Sequence, residues 1–185
     1  MRGPSRYSVL LVLTILLTAV ASCDRPDKKW VSDTTGISFR IPGDHDWKLM
    51  PPQGASKIVL RCEDPHGAVT YQEVPTNHPV QITQKAGEAF EARMLKLSHG
   101  TKVAGQMITF HGRPAYEYEE TYSARGVEAR TKTIVCSTGN TMFTIMAVTA
   151  DKSDTPGDPL QNPVIKKFVD SIRIPDSPQP LSVAH

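Results

Sequence analysis

The spacing of apolar residues changes repeatedly along the chain, and each change marks an element. Residues 7–22 carry no charge and are dominated by Val, Leu, Ile and Ala. From Thr35 the pattern alternates, with Ile37, Phe39 and Ile41 set against Gly36, Ser38 and Arg40 and closed by Pro42-Gly43. Period two predicts a half-buried strand that runs into a turn. Residues 47–50, 57–62 and 68–74 give three further strand signals, the last two joined by the turn-like Glu63-Asp64-Pro65-His66-Gly67. The period then lengthens. Ile82, Ala86, Ala89, Phe90, Met94 and Leu97 recur at three to four, with Lys85, Glu88, Glu91 and Lys96 between them. This predicts an amphipathic helix over 81–97, ended by His99-Gly100.

Four longer alternating runs follow at 102–111, 114–123, 128–137 and 141–149. Their connections are short, and a parallel return needs a crossover of roughly a dozen residues, so neighbours in this set are antiparallel. A second helix is predicted at 162–172, with Asn162 as cap, Pro163 in the first turn, and Ile165, Phe168, Val169 and Ile172 as the buried stripe. Strands, helix, four antiparallel strands and a helix describe an α+β domain over 35–174: an antiparallel sheet with helices packed on its faces, a three-layer α/β/α sandwich. The polar residues 23–34 are expected to be a tether. The proline-rich 175–185 lack the means to build a core and are expected to be disordered.

The uncharged run near the start has its own meaning. Arg2 and Arg6 precede it and small residues close it, which is the layout of a secretory leader over 1–22. Its strictly apolar part is shorter than the roughly 20 residues of a membrane-spanning helix, and no basic stop signal follows. At its end, Val20-Ala21-Ser22-Cys23 resembles the lipobox of bacterial lipoproteins. That resemblance implies cleavage before Cys23, a diacylglycerol thioether on its thiol, palmitate-type acylation, and anchoring to a bacterial cell membrane on the extracytoplasmic side. Each buried acyl methylene contributes about 0.8 kcal/mol, and two chains hold where one is marginal. An ordinary leader cut near Ala21, leaving Cys23 free, is the alternative. Asp24 follows the cysteine, where aspartate retains lipoproteins at the inner membrane in some Gram-negative groups; inner or outer membrane stays open.

Charge and cysteine usage narrow the function classes. Of the 21 Lys and Arg, Arg2 and Arg6 lie in the leader, and the rest balance the 19 Asp and Glu. A mature chain without net charge or a basic run argues against nucleic-acid binding through phosphate neutralisation. Cys62 and Cys136 remain after Cys23, and an oxidising compartment permits one disulfide between them if their strands are neighbours in register. Two buried thiols are the alternative.

Candidate chemistry is sparse. The six histidines are scattered, and all stand beside Gly, Pro or Asp or at the terminus, as solvated turn residues do. Cys62-Glu63-Asp64-Pro65-His66 is the nearest approach to a metal cluster, but it lacks paired cysteine or histidine spacing, so no metal is expected. Tyr116, Tyr118, Glu120 and Tyr122 share one face of a strand, with Glu117 and Glu119 on the other. Such a tyrosine face lines a pocket or a partner surface, or packs beneath a helix. Phosphate loops, nucleophile elbows and dinucleotide fingerprints are absent. These observations point away from an enzyme and from a cofactor.

Several local motifs occur in a characteristic order: Gly36-Ile-Ser-Phe-Arg-Ile-Pro42, Trp47, the central helix, Gly112-Arg-Pro-Ala115, Thr141-Met-Phe-Thr-Ile-Met-Ala-Val148 and Phe168-Val-Asp-Ser-Ile-Arg-Ile174. Over 34–174 the chain resembles the PsbP-like superfamily, which includes bacterial lipoproteins of the DcrB type. The resemblance implies an antiparallel sheet between helices and non-enzymatic roles, since plant members attach to photosystem II and a eukaryotic relative binds a small GTPase. The expectation is a membrane-anchored envelope lipoprotein that contacts an envelope or membrane protein or helps to assemble a membrane complex. A small-ligand or metal-binding envelope module is the alternative.

Overall fold

The computed structural model describes residues 26–176, apart from 44–45, 52–53, 55, 64–65, 125 and 152–155. The leader, Cys23, Asp24 and the tail beyond 176 lie outside the described residues.

Seven strands form one open antiparallel sheet: β3 (Trp47–Met50), β4 (Ser56–Glu63), β5 (His66–Pro75), β6 (Thr101–Phe110), β7 (Arg113–Ala124), β8 (Val127–Thr138) and β9 (Thr141–Asp151), in the order β3-β4-β5-β9-β8-β7-β6. Two meanders are thus joined where β9 lies along β5, from Gly67 opposite Thr149 to Pro75 opposite Thr141. The four late strands pair in sequence, as their short turns require. The β6–β7 turn is His111-Gly112, both at positive φ (47° and 80°), the geometry whose twist matches a two-residue hairpin.

Helix α1 (Gln84–Ser98) carries the chain from β5, in the middle of the sheet, to β6 at its edge. The Thr83 hydroxyl accepts from the Ala86 N–H, and His99 ends the helix in the left-handed region at φ 54°. Helix α2 (Pro163–Asp170) starts on Asn162, whose side chain accepts from the N–H groups of Val164 and Ile165, with Pro163 in the first turn. A helix this short does not persist alone in water. Burial of Ile165, Phe168 and Val169, worth roughly 1.5–3 kcal/mol each, holds it in place.

The helices cover opposite faces, which gives the three expected layers. Beneath α1 lie Ile82, Tyr116, Tyr118 and Val135. The larger core fills the other face, where Ile165, Phe168 and Val169 of α2 share one cluster with Leu60, Val69, Tyr71, Phe143 and Ile145. A two-stranded ribbon completes that layer. It is made of β1 (Lys28–Val31) and β2 (Ser38–Ile41), separate from the main sheet. Its inner residues Trp30 and Phe39 stack at 4.6 Å, and Phe39 meets Phe168 of α2 at 4.8 Å. Residues 28–31, expected in the tether, therefore form a strand. The apolar face of β2 needs a cover, and Trp30 provides it.

Candidate functional site

Tyr116 and Tyr118 lie beneath α1, with relative exposures of 0% and 1%, and line neither of the two main cavities. Gly87 allows this, since a Cβ there would stand 2.1 Å from the Tyr116 ring. The Tyr116 hydroxyl donates to Glu91 Oε2 at 2.6 Å, and Lys102 Nζ approaches the same carboxylate at 2.8 Å. Burial, then the Glu91 hydrogen bond, pushes the Tyr116 phenol well above its ordinary pKa. Burial pushes Tyr118 up to about 12. Neither ring is placed to exchange a proton near neutral pH. Tyr122 is half-buried. Tyr116 and Tyr118 are packing, because the apolar body of each ring is covered by the helix and Tyr116 keeps a polar partner for its tip.

The opposite face of β7 carries a charge network. Glu119 pairs with Arg130 and lies 3.6 Å from Lys132, which also donates to Asp158 at 2.9 Å. This links the sheet to the 3₁₀ turn Pro159–Gln161 that precedes α2. A second buried acid, Glu73, accepts from Tyr71 at 2.7 Å and Thr35 at 2.9 Å, joining β5 to the loop before β2. Each of these carboxylates is occupied by a structural partner.

The cysteine pairing does not form. Cys136 is a buried free thiol, its pKa raised by that burial. Cys62 lies in β4, and β5 and β9 separate it from β8. Register carries Cys62 to Gly67, Thr149 and Arg130, six residues short of Cys136. Three strand spacings are about 14 Å, whereas disulfide Cα atoms lie within about 7 Å. The side chains of Cys62 and His66 lie outside those described. Among the described residues no group of three His, Cys, Asp or Glu side chains is placed to hold a metal, and no helix is long and apolar enough to cross a membrane.

A groove of about 810 Å³ lies between the β1–β2 ribbon and α2. Its ribbon wall carries Lys29 and Arg40, its helix wall Lys166 and Lys167, and Arg173 closes one end. Lys166 pairs with Asp170, and Lys167 lies 3.0 Å from Asp27. The Lys167 hydrogen bond, helped by the Gly43 N–H and by the charges of Lys167 and Arg40, holds the Asp27 carboxyl below its ordinary range against the effect of burial. Arg173 donates to the carbonyls of Asp170 and Ile172, and its backbone bridges Ser38. Sequence patterning misses this site, because Lys29 and Arg40 become neighbours only when 28–31 forms a strand.

No protein-family model matches the chain, and no curated protein matches it significantly. Among solved structures, a protein from Bacteroides thetaiotaomicron VPI-5482 shares 14% identity at a TM-score of 0.52, over 80% of this chain and 48% of that one. This chain therefore spans about half the length of that protein. LpqN, involved in cell envelope biogenesis of Mycobacterium tuberculosis, shares 15% identity at a TM-score of 0.49, over 84% of this chain and 97% of that one. At 14% identity the Bacteroides likeness is one of fold.

Proposed function

We propose that this chain is a non-catalytic lipoprotein of the bacterial cell envelope, anchored through Cys23, whose PsbP-like domain works by contact with a membrane protein or complex. The observation that carries this reading is the joining of Val20-Ala21-Ser22-Cys23 to the folded domain. Only four residues separate Cys23 from β1, so the span cannot exceed about 18 Å even when extended. A domain held that close to a bilayer meets the extramembrane parts of its neighbours. The buried residues Glu91, Glu119, Tyr71 and Tyr116 support the non-catalytic part, since each is held by a hydrogen bond or an ion pair within the fold.

Proximity of this kind is tested by photo-crosslinking in the native host, with the reactive residue in place of exposed Leu97 or Val103. The expected result is a discrete adduct with one envelope membrane protein, lost when Cys23 is replaced by Ser. Adducts spread evenly over abundant proteins, unaffected by that replacement, would contradict it.

A further inference from the structure

We infer that the groove between the β1–β2 ribbon and α2 binds the phosphate of an anionic phospholipid headgroup in the leaflet that holds the protein; this rests on the lipid-anchored reading. The first support is a register. Lys29 lies directly opposite Arg40 in the antiparallel ribbon. Like charges at directly opposed positions repel and destabilise a strand pair. Both side chains are exposed and line the groove, and the only described carboxylate that the Arg40 charge reaches, Asp27, is hydrogen-bonded to Lys167. Arg173, tied to β2 by its bridge with Ser38, adds a third cation. Because Asp27 and Asp170 answer Lys167 and Lys166, a surplus of three positive charges stays in one concavity. The mature chain carries no net charge, so this surplus is local segregation and not general basicity.

Shape and place supply the rest. A concave wall of one sign focuses its field and favours a compact anion. Arg40 offers the planar fork that matches phosphate oxygens, and Lys29 a mobile point charge. Six residue steps separate Cys23 from Lys29, a reach of at most about 20 Å. The headgroup layer itself is roughly 5–7 Å deep, so a tether of this length holds the groove within reach of lipid phosphates. Free phosphate has the same chemistry, but the tether favours the lipid. A groove filled in this way would also fix the orientation of the domain on the membrane.

The test uses the mature protein purified from its membrane in mild detergent and observed by native mass spectrometry. Phosphatidylglycerol, phosphatidylcholine or inorganic phosphate is added in parallel. One phosphatidylglycerol retained per chain is expected, with phosphatidylcholine and inorganic phosphate retained less. Lys29→Glu with Arg40→Glu should lower retention about tenfold, while Lys48→Glu with Lys57→Glu, at exposed sites in β3 and β4, should not. Arg40→Gln separates binding from folding. It should weaken retention yet leave the melting temperature of the lipid-free protein unchanged within about 2 °C, because the cross-strand repulsion it relieves is offset by the lost attraction to Asp27. Equal retention of both lipids, full displacement by inorganic phosphate, or retention unchanged in the double variant would overturn the assignment. The same spectrum reports the acyl mass on Cys23, so failure of the groove and failure of the anchor are read separately.

Discussion

Gly87 sets how closely α1 lies on the sheet. With a Cβ only 2.1 Å from the Tyr116 ring, Gly87→Ala forces the helix or the ring to move. Overpacking of this kind costs typically about 1–3 kcal/mol, against a gain of up to about 1 kcal/mol in helix propensity. A net loss of stability is expected in urea denaturation, and a raised midpoint would contradict the packing. The same contact explains where periodicity misleads. Ala86, Ala89 and Leu97 belong to the apolar stripe by spacing but are exposed, Leu97 at 66%, whereas Glu91 is 2% exposed. Spacing counts Glu91 as polar and places it outward. The phenol of Tyr116 and the ammonium of Lys102 reward turning it inward, and both partners lie on strands beneath the helix, where a local pattern has no view of them.

Between elements, the bond from Lys132 to Asp158 fastens the segment before α2 onto β8. Burial is the largest single influence on Asp158 and disfavours its charge, but the Lys132 hydrogen bond, the Leu160 N–H and the charges of Lys132 and Arg130 together outweigh it, and the folded carboxyl lies below its ordinary pKa. The contribution of this pair is therefore complete above the unfolded value of about 3.9 and is lost as pH falls through the lowered folded value. Asp158→Asn keeps an acceptor for the Leu160 N–H and removes the charge. It should cost about 1 kcal/mol at pH 7, with the gap to the wild type narrowing in acid below about pH 4; a gap independent of pH would contradict the role of charge. At this scale most of the architecture was legible in the sequence. The four late strands and the capped second helix follow from local periodicity, turns and capping. The strand at 28–31 does not, because Lys-Lys-Trp-Val has no alternation and exists as a strand only through Trp30 stacking on Phe39. The cysteine pair also depended on strand order, which is a property of the whole sheet.

At the level of the molecule, the ribbon, α2 and the start of the domain lie together. The groove of five cations is thus placed beside the residues that lead from Cys23. On the opposite face α1 buries Tyr116 and Tyr118, two of the three tyrosines that sequence spacing offers as a binding surface. The proposed membrane-facing role of that arrangement depends on lipid attachment at Cys23. Metabolic labelling with a radiolabelled palmitate precursor in the native host is the most direct measurement. The wild-type chain should carry the label, and the Cys23→Ser chain should carry none. A wild-type chain without label, or a Cys23→Ser chain labelled equally, would contradict the account.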